Sequence, residues 1–361
     1  MINCYILSRT TFAVIEYFSS HDWAVDYDYV SASKSTFYTE KPIKPNVGDF
    51  IIAKQAVADP VLFKPLFFGV IESYTDKKIA ALQLMDMLNF EITTTQIAGT
   101  DGMTHLYNLI MRYLYNDSTK IISNANLIMN KDSDMIAFSY QPNDPPSKAL
   151  LNDYARNMFQ KYGIIWEVEQ VEYSGNNLKV YTRIKRPKWA LVIKDNSNAF
   201  QDWKYLINPA TYNGENKLVI IDKETTNMMN PTILATWYVY NDGTITTNQN
   251  GAEKPTREKV YFYDLEQEDP PTYESIARSE LSASLYSHEI EFDLLPGNQL
   301  IGEDQIRIGT LVDVWHNDTV YKSIITGYSL SSKNDFISVK LGFIRSTLKA
   351  VLNNYESRTT L

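Results

Sequence analysis

The chain is poor in the residues that most protein chemistry uses. Of its 361 residues one is cysteine, Cys4, and four are histidine: His21, His105, His288 and His316. A lone cysteine can form no internal disulfide, which fits folding in a reducing cytoplasm; Cys4, on the first strand, reads as a small buried apolar residue. No apolar run approaches the roughly 18 residues of a membrane span, so no membrane span is expected. The opening MINCYILSRTTF has no basic segment followed by a long apolar one, so no secretory signal is expected. Lys/Arg-rich blocks are missing and the net charge is −9. Phosphate contacts need cations, so such a chain is ill suited to gripping nucleic acid and better suited to a surface that nucleic acid slides past. Tandem repeats, low-complexity segments, G-x-S-x-G, a phosphate-binding glycine loop and a C-x-x-C pair are all lacking.

What remains is rich in patterned sheet. Hydrophobic residues are 44% and charged residues 21%, a globular balance with enough apolar surface for a real core. Aromatics reach 13%, led by 25 tyrosines, which suit strands and interfaces. The first ninety residues read as strands: INCYILS, TTFAVIEYF with Phe12 and Val14 apolar, and WAVDYDYV, where Trp23, Val25, Tyr27 and Tyr29 alternate with Ala24, Asp26 and Asp28. STFYTEK is a further candidate strand. Gly48-Asp49 signals a turn before Phe50–Ile52, and Gly69 inside PLFFGVIES marks a bulge or a close approach. KIAALQLMDMLNF reads as strand leading into a short turn. The period then changes. Leu106, Leu109, Ile110, Tyr113 and Leu114 fall at helical spacing with Thr104 as cap, and Leu150, Leu151, Tyr154, Met158 and Phe159 line a second helix between Ser147 and Gly163. QPNDPPS before it is a linker, and a hairpin follows around SGNN.

Strands return in WALVIKD, KLVIIDKE and TWYVYNDGTITT, the last with Asn241-Asp242-Gly243 as hairpin turn. YESIARSELSASL is a three-turn helix with Ile276, Leu281 and Leu285 apolar. Then Ile290, Phe292 and Leu294 face one way and Glu289, Glu291 and Asp293 the other. Pro296-Gly297-Asn298 and Asn317-Asp318 are turns, Leu311 and Val314 are the apolar positions between them, and FISVKLGF is the last strand. Four successive strands with short turns predict a meander closing into a small barrel. The expected fold class is α+β, mainly β: two small antiparallel β-barrels flanking α/β domains. The expected domains are 1–95 (N-terminal barrel), 96–190 (two helices and a hairpin), 191–265 (β-rich) and 266–361 (helix plus C-terminal barrel).

A search for reacting groups comes back nearly empty. HEIE at His288–Glu291 is not H-E-x-x-H, and on a strand His288 and Glu291 point to opposite faces; His316, on the next strand, is the only other histidine near enough to complete a metal site. Glycosidase-type carboxylate pairs need one acid in a desolvated pocket, whereas Asp22, Asp26, Asp28, Glu167, Glu169, Glu289 and Glu291 alternate with apolar residues as on any half-exposed sheet. A Ser-His-Asp triad has only four histidines to draw on, none in a recognisable context. Asn317-Asp318-Thr319 matches a glycosylation acceptor that a cytoplasmic chain does not use, and Arg183–Lys188 is the most basic patch, read as a solvated hairpin end. No catalytic, cofactor-binding or metal-binding residue is assigned, and no cofactor is expected.

One resemblance gathers these features. VIEYFSSHDWAVDYDYVSASKSTFY followed by VGDFIIAK and PLFFGVIES resembles the opening of tail-tip hub proteins of long-tailed phages, also called tail-associated lysins or baseplate hubs. Ser20, Trp23, Tyr27 and Phe37 match, with Ser35 where glycine is frequent; Gly48, Asp49 and Ile51 match the next element, and Gly69, Val70 and Ile71 the third. Leu281, HEIEFDLL, GTLVDVW, YKSIITGYSLS and VKLGF resemble the family's last barrel. The resemblance implies two barrels per chain and a homotrimer, so that three chains offer six barrels to a six-fold distal tail protein ring. It implies a virion protein at the tail tip, assembled in the bacterial host cytoplasm, that closes the tube and opens for the tape-measure protein and for DNA, which passes through the channel without specific binding. Many members carry a C-terminal peptidase or glycosidase domain; after Leu361 none is expected, so the chain is expected not to be an enzyme. A cell-wall hydrolase with dispersed carboxylates and a carbohydrate-binding receptor protein are the alternatives.

Overall fold

The computed structural model describes residues 1–55, 62–93, 101–115, 126–134, 148–174, 177–206, 215–227, 229–240, 244–252, 256–267, 270–286, 288–298, 300–302 and 305–343. They fall into two compact units. The first holds Met1–Pro187, Leu295–Gly297 and Gly327–Ser338; the second holds Lys188–Leu294, Asn298–Thr326 and the chain from Val339.

The first unit contains β1 (Ile2–Leu7), β2 (Val14–Ser20), β3 (Trp23–Asp28), β4 (Lys34–Tyr38), β5 (Phe50–Gln55), β6 (Leu62–Phe63), β7 (Phe67–Thr75), β8 (Lys78–Gln83), β9 (Glu91–Thr93), α1 (Gly102–Ile110), β10 (Leu127–Lys131), β11 (Lys148–Leu150), α2 (Leu151–Tyr162), β12 (Ile165–Ser174) and β13 (Asn177–Lys185). Its main sheet runs β3-β4-β8-β7-β5-β1-β2, and Gly327–Ser331 lies antiparallel on the other side of β3. Ile2, Cys4, Ile6, Val25, Phe37, Ile51, Phe67, Ile71 and Ile79 form its core, so the alternation in these strands places the apolar set on one face. At Gly69 a Cβ would overlap the Leu82 carbonyl of the neighbouring strand, which is why glycine stands there. The bulge itself falls two residues later, between Ile71 and Ser73. Gly48 has φ +92° in its turn, and Asp49 accepts the amides of Arg9 and Asn46.

A second sheet, β10-β13-β12-β6, carries the hairpin read from the sequence, and α1 and α2 belong to the same unit. Gly163 is left-handed (φ 69°) at the end of α2, as expected of a helix stop. The caps differ from expectation. Asp101, not Thr104, caps α1: its carboxylate accepts the amides of Met103 and Thr104, and the Thr104 hydroxyl donates to it. Ser147 lies outside the described residues, and the cap position of α2 is Leu150, which has no side chain to bond with. Phe12 does not join a strand. It sits at φ 57° in the β1–β2 connection, fully buried, its ring 4.8 Å from Phe50.

The second unit contains β14 (Ala190–Lys194), β15 (Phe200–Leu206), β16 (Lys217–Asp222), β17 (Ile233–Val239), β18 (Ile245–Thr246), β19 (Glu258–Tyr263), α3 (Tyr273–Leu285), β20 (Glu289–Leu294), β21 (Leu311–His316), β22 (Thr319–Ser331) and β23 (Asn334–Leu341); the distal parts of β22 and β23 are the first unit's Gly327–Ser338. One sheet is ordered β15-β20-β23-β22-β21-β14, with β14 and β21 parallel. The other is β18-β17-β16-β19, with α3 on one face through Ile276, Ala277 and Leu281 against Leu218 and Ile220. Asn317 (φ 48°) and Asp318 (φ 60°) make the expected tight turn, and Gly297 (φ 67°) the other. The turn at Asn241-Asp242-Gly243 lies outside the described residues; β17 and β18 pair antiparallel on either side of it.

The mainly-β α+β class holds, but two details of the expected barrels do not. Among the described residues neither sheet closes on itself: β2 ends the first sheet, and β14 and β15 end the second. Nor are the last four strands a meander. β20 lies between β15 and β23, because β15, contributed from before the β16–β19 insertion, occupies the place a meander would give to β21. Of the two apolar positions read in β21, Leu311 is exposed and Val314 buried, with Val312 the other buried position.

Candidate functional site

His105, His288 and His316 have structural partners, as do several of the acidic residues singled out by sequence. His288 precedes β20 and is buried, with Nε2 2.7 Å from the hydroxyl of buried Ser323; burial pushes its pKa down to about 4. Glu291 instead pairs with Lys204 on β15 at 3.2 Å. His316 ends β21 and contacts Asp195 through Nδ1. Tyr205 donates to the same carboxylate oxygen at 3.2 Å and stacks on the imidazole with centroids 3.9 Å apart, and Asn317 Nδ2 lies 3.0 Å from Nε2. Among the described residues the metal site considered for His288 and His316 is not formed. Asp195–His316 is an acid–imidazole pair whose outer nitrogen meets an amide, not a nucleophile. His105 Nδ1 meets the Tyr154 hydroxyl at 2.7 Å, joining α1 to α2. Among the described residues no group of three or more His, Cys, Asp or Glu side chains is placed to hold a metal ion.

The carboxylates divide between solvated ladders and structural sinks. Glu167 pairs with Lys185, Glu169 with Arg183 at 2.7 Å, and Arg183 also with Asp132 at 3.1 Å. Two cations of the basic patch, Arg183 and Lys185, are thereby paired. Asp28, expected on a solvated strand face, is buried: its carboxylate accepts the amides of Val30 and Ser31 and the Ser31 hydroxyl. Burial also raises the pKa of Asp86, against the opposing pull of Arg156 at 2.8 Å. Cys4 is buried, and burial raises its thiol pKa well above the ordinary range, so it is a core residue and not a nucleophile.

What the fold leaves uncovered is apolar sheet. On β2, which ends its sheet, Val14, Ile15 and Tyr17 are exposed around Glu16. On the face of β16 and β19 away from α3, exposed Ile233, Val260 and Phe262, with Pro231, surround a depression of about 380 Å³ also lined by buried Val219 and Ile221. The Lys217–Glu258 pair (2.6 Å) lies at one end of this strand pair and Lys223–Asp264 (3.0 Å) at the other. On β14 and β21, Val192, Leu311 and Trp315 point outward with Trp189 beside them. Edge strands and apolar patches of this kind are what proteins cover on assembly. Sequence reasoning missed where they lie, although TTFAVIEYF, with apolar residues on both faces of one strand, carried a signal: a terminal strand buries neither face fully.

No protein-family model matches the sequence, and no curated protein matches it. Solved structures do match the fold. A chain in the structure of the phage P2 baseplate in its activated conformation with Ca aligns with a TM-score of 0.53 at 11% identity, over 96% of this chain and 100% of that one. A topological model of the p2 virion baseplate in activated conformation gives 0.54 at 12% identity, over 96% and 100%. The tail protein from Neisseria meningitidis MC58 gives 0.51 at 9% identity, over 94% and 96%. The chain therefore has the fold of phage baseplate and tail proteins along nearly its whole length, as the resemblance implied.

Proposed function

We propose that this chain is a structural component of a phage tail: the hub at the tip of the tail tube, working as a homotrimer. The observation that carries the reading is the fold match to baseplate and tail proteins over 94–96% of the chain. Two features support it. His105, His288, Asp195–His316, Asp86–Arg156 and the β12–β13 ion pairs are engaged in packing and pairing within the fold. The uncovered surface is apolar sheet, as expected of a protein that assembles. The larger sheet of each unit is open-ended, so three copies present six of these larger sheets, and a three-fold object meets the six-fold distal tail protein ring. The trimer closes the tube until the tape-measure protein and DNA leave, and its net charge of −9 disfavours adhesion of the passing DNA. It is assembled in the host cytoplasm, where Cys4 stays reduced.

Light scattering on the purified chain, followed by mixing with the distal tail ring, tests this. A trimer that binds the ring is the expected result; a monomer that ignores the ring overturns it. Clearing of purified Gram-positive cell walls by the chain alone would put the alternative hydrolase reading in its place.

A further inference from the structure

We infer that the aromatic–cationic face of β14 and β21 is the surface by which one copy of this chain holds the next, and that it meets the carboxylate-bearing open edge of β2; the inference rests on the homotrimer reading. Trp189 is 56% exposed, Val192 65%, Leu311 44% and Trp315 43%, while Ile193, Val312 and Val314 of the same two strands are buried. The outward positions of this parallel strand pair are Ala190, Val192 and Lys194 on one strand and Leu311, Asp313 and Trp315 on the other, so large apolar side chains share the face with one cation and one carboxylate. The β12–β13 hairpin of the same chain shows a charged face instead, with Glu167–Lys185 and Glu169–Arg183 pairs on its surface. Each exposed tryptophan has a cation over its ring: the Arg307 guanidinium lies 5.5 Å from Trp189, and Lys194 Nζ 5.7 Å from Trp315. Tryptophan and arginine are the residues most enriched at the energetic centres of interfaces. β14 also ends its sheet, so its outer backbone groups are open, and no proline interrupts it.

Charge names the occupant. An apolar surface studded with cations calls for an apolar surface bearing carboxylate, and a chain of net charge −9 offers that on its own copies. Within the chain, β2 has that character: Val14, Ile15 and Tyr17 are exposed around Glu16, which makes no ion pair among the described residues. Both strands are sheet ends with open backbone. The two surfaces are different patches, one in each unit, so the contact is head-to-tail. Such contacts close into rings when the rotation allows it.

The test uses the full chain in sedimentation velocity at low and high salt. Lys194→Glu and Glu16→Lys are exposed changes, and circular dichroism with thermal melting verifies that each variant folds. Each single reversal is expected to weaken association per contact by at least about tenfold, or ~1.4 kcal/mol. The double variant E16K/K194E is expected to restore the trimer, and Trp189→Ala to weaken it at every salt concentration. A wild-type trimer unaffected by both reversals, or a double variant no better than the singles, overturns the inference and leaves the homotrimer reading standing. A wild-type monomer at all concentrations removes the homotrimer reading itself. Cell-wall polysaccharide that quenches wild-type tryptophan fluorescence but not that of W189A/W315A, with the oligomeric state unchanged by either substitution, assigns the face to glycan and overturns the inference.

Discussion

Asp86 and Arg156 meet at 2.8 Å with side chains only 6% and 14% exposed. Removing water from Asp86 raises its pKa even with the guanidinium alongside, so desolvation outweighs the ion pair there. Truncating one partner of such a pair strands the other charge. Arg156→Ala is expected to cost about 3–5 kcal/mol in urea unfolding, while the double apolar replacement D86L/R156M recovers much of that loss. His288 gives a pH signature of the opposite kind. Its pKa falls from an unfolded value near 6.5 to about 4, so the unfolded chain binds the extra proton first. The stabilisation from keeping His288 neutral is fully present above pH 6.5 and is lost as pH falls from 6.5 towards 4, a change of about 3 kcal/mol. Urea midpoints across that window should drop more steeply for the wild type than for His288→Asn. An equal slope in both proteins would show that His288 does not set the pH dependence. Neither site was legible in the sequence. HEIE reads as strand with His288 and Glu291 on opposite faces, and strand alternation says nothing about a histidine one residue before the strand begins.

Local elements were the legible part of the fold, wherever the deciding interaction is also local. Gly48, Gly163, Gly297 and Asn317-Asp318 all sit at positive φ where turn chemistry placed them, and β13 alternates buried and part-buried residues along its whole length. Thr104 shows the limit. It is a plausible cap by type, but Asp101 lies three residues earlier and accepts two amides where a hydroxyl would accept one. Asp101→Ala is expected to lower stability by about 1 kcal/mol, read from thermal unfolding, and Thr104→Val by less. Gly69→Ala tests a long-range constraint instead. Its Cβ would overlap the Leu82 carbonyl, and backbone cannot swing aside as a side chain can. Splayed β7–β8 pairing, seen as loss of amide protection in both strands, is the expected outcome; unchanged protection would mean that the sheet absorbs the methyl group. Pairing partners were illegible for a physical reason. The hydrophobic pattern of a strand states which face is buried, not which strand lies alongside. Hence β20 reads as the neighbour of β21 and is the neighbour of β15 and β23.

At the scale of the whole molecule, composition pointed to assembly because chemistry was missing, and the folded chain gives that absence a positive counterpart in its uncovered apolar sheet. Those surfaces could not be placed from sequence: an apolar residue on a strand reads the same whether it meets a core or a neighbouring molecule. Exposed Val192 and buried Ile193 differ only in which side of β14 the rest of the sheet happens to cover. On the proposed reading, symmetry turns this into stoichiometry. A chain whose larger sheet is open-ended in each of two units presents six such larger sheets as a trimer, so a six-fold ring is matched by three copies and not by six. Native mass spectrometry of the chain mixed with the distal tail protein should then give a complex of three chains to six ring subunits. One-to-one binding would mean that each chain engages the ring through a single sheet, and the symmetry argument would fail even if the chain remained a tail protein. The charge-reversed single variants sharpen the experiment. If trimer formation precedes ring binding, K194E loses the three-to-six complex together with the trimer; if the ring organises the chains, the complex survives while the free trimer does not.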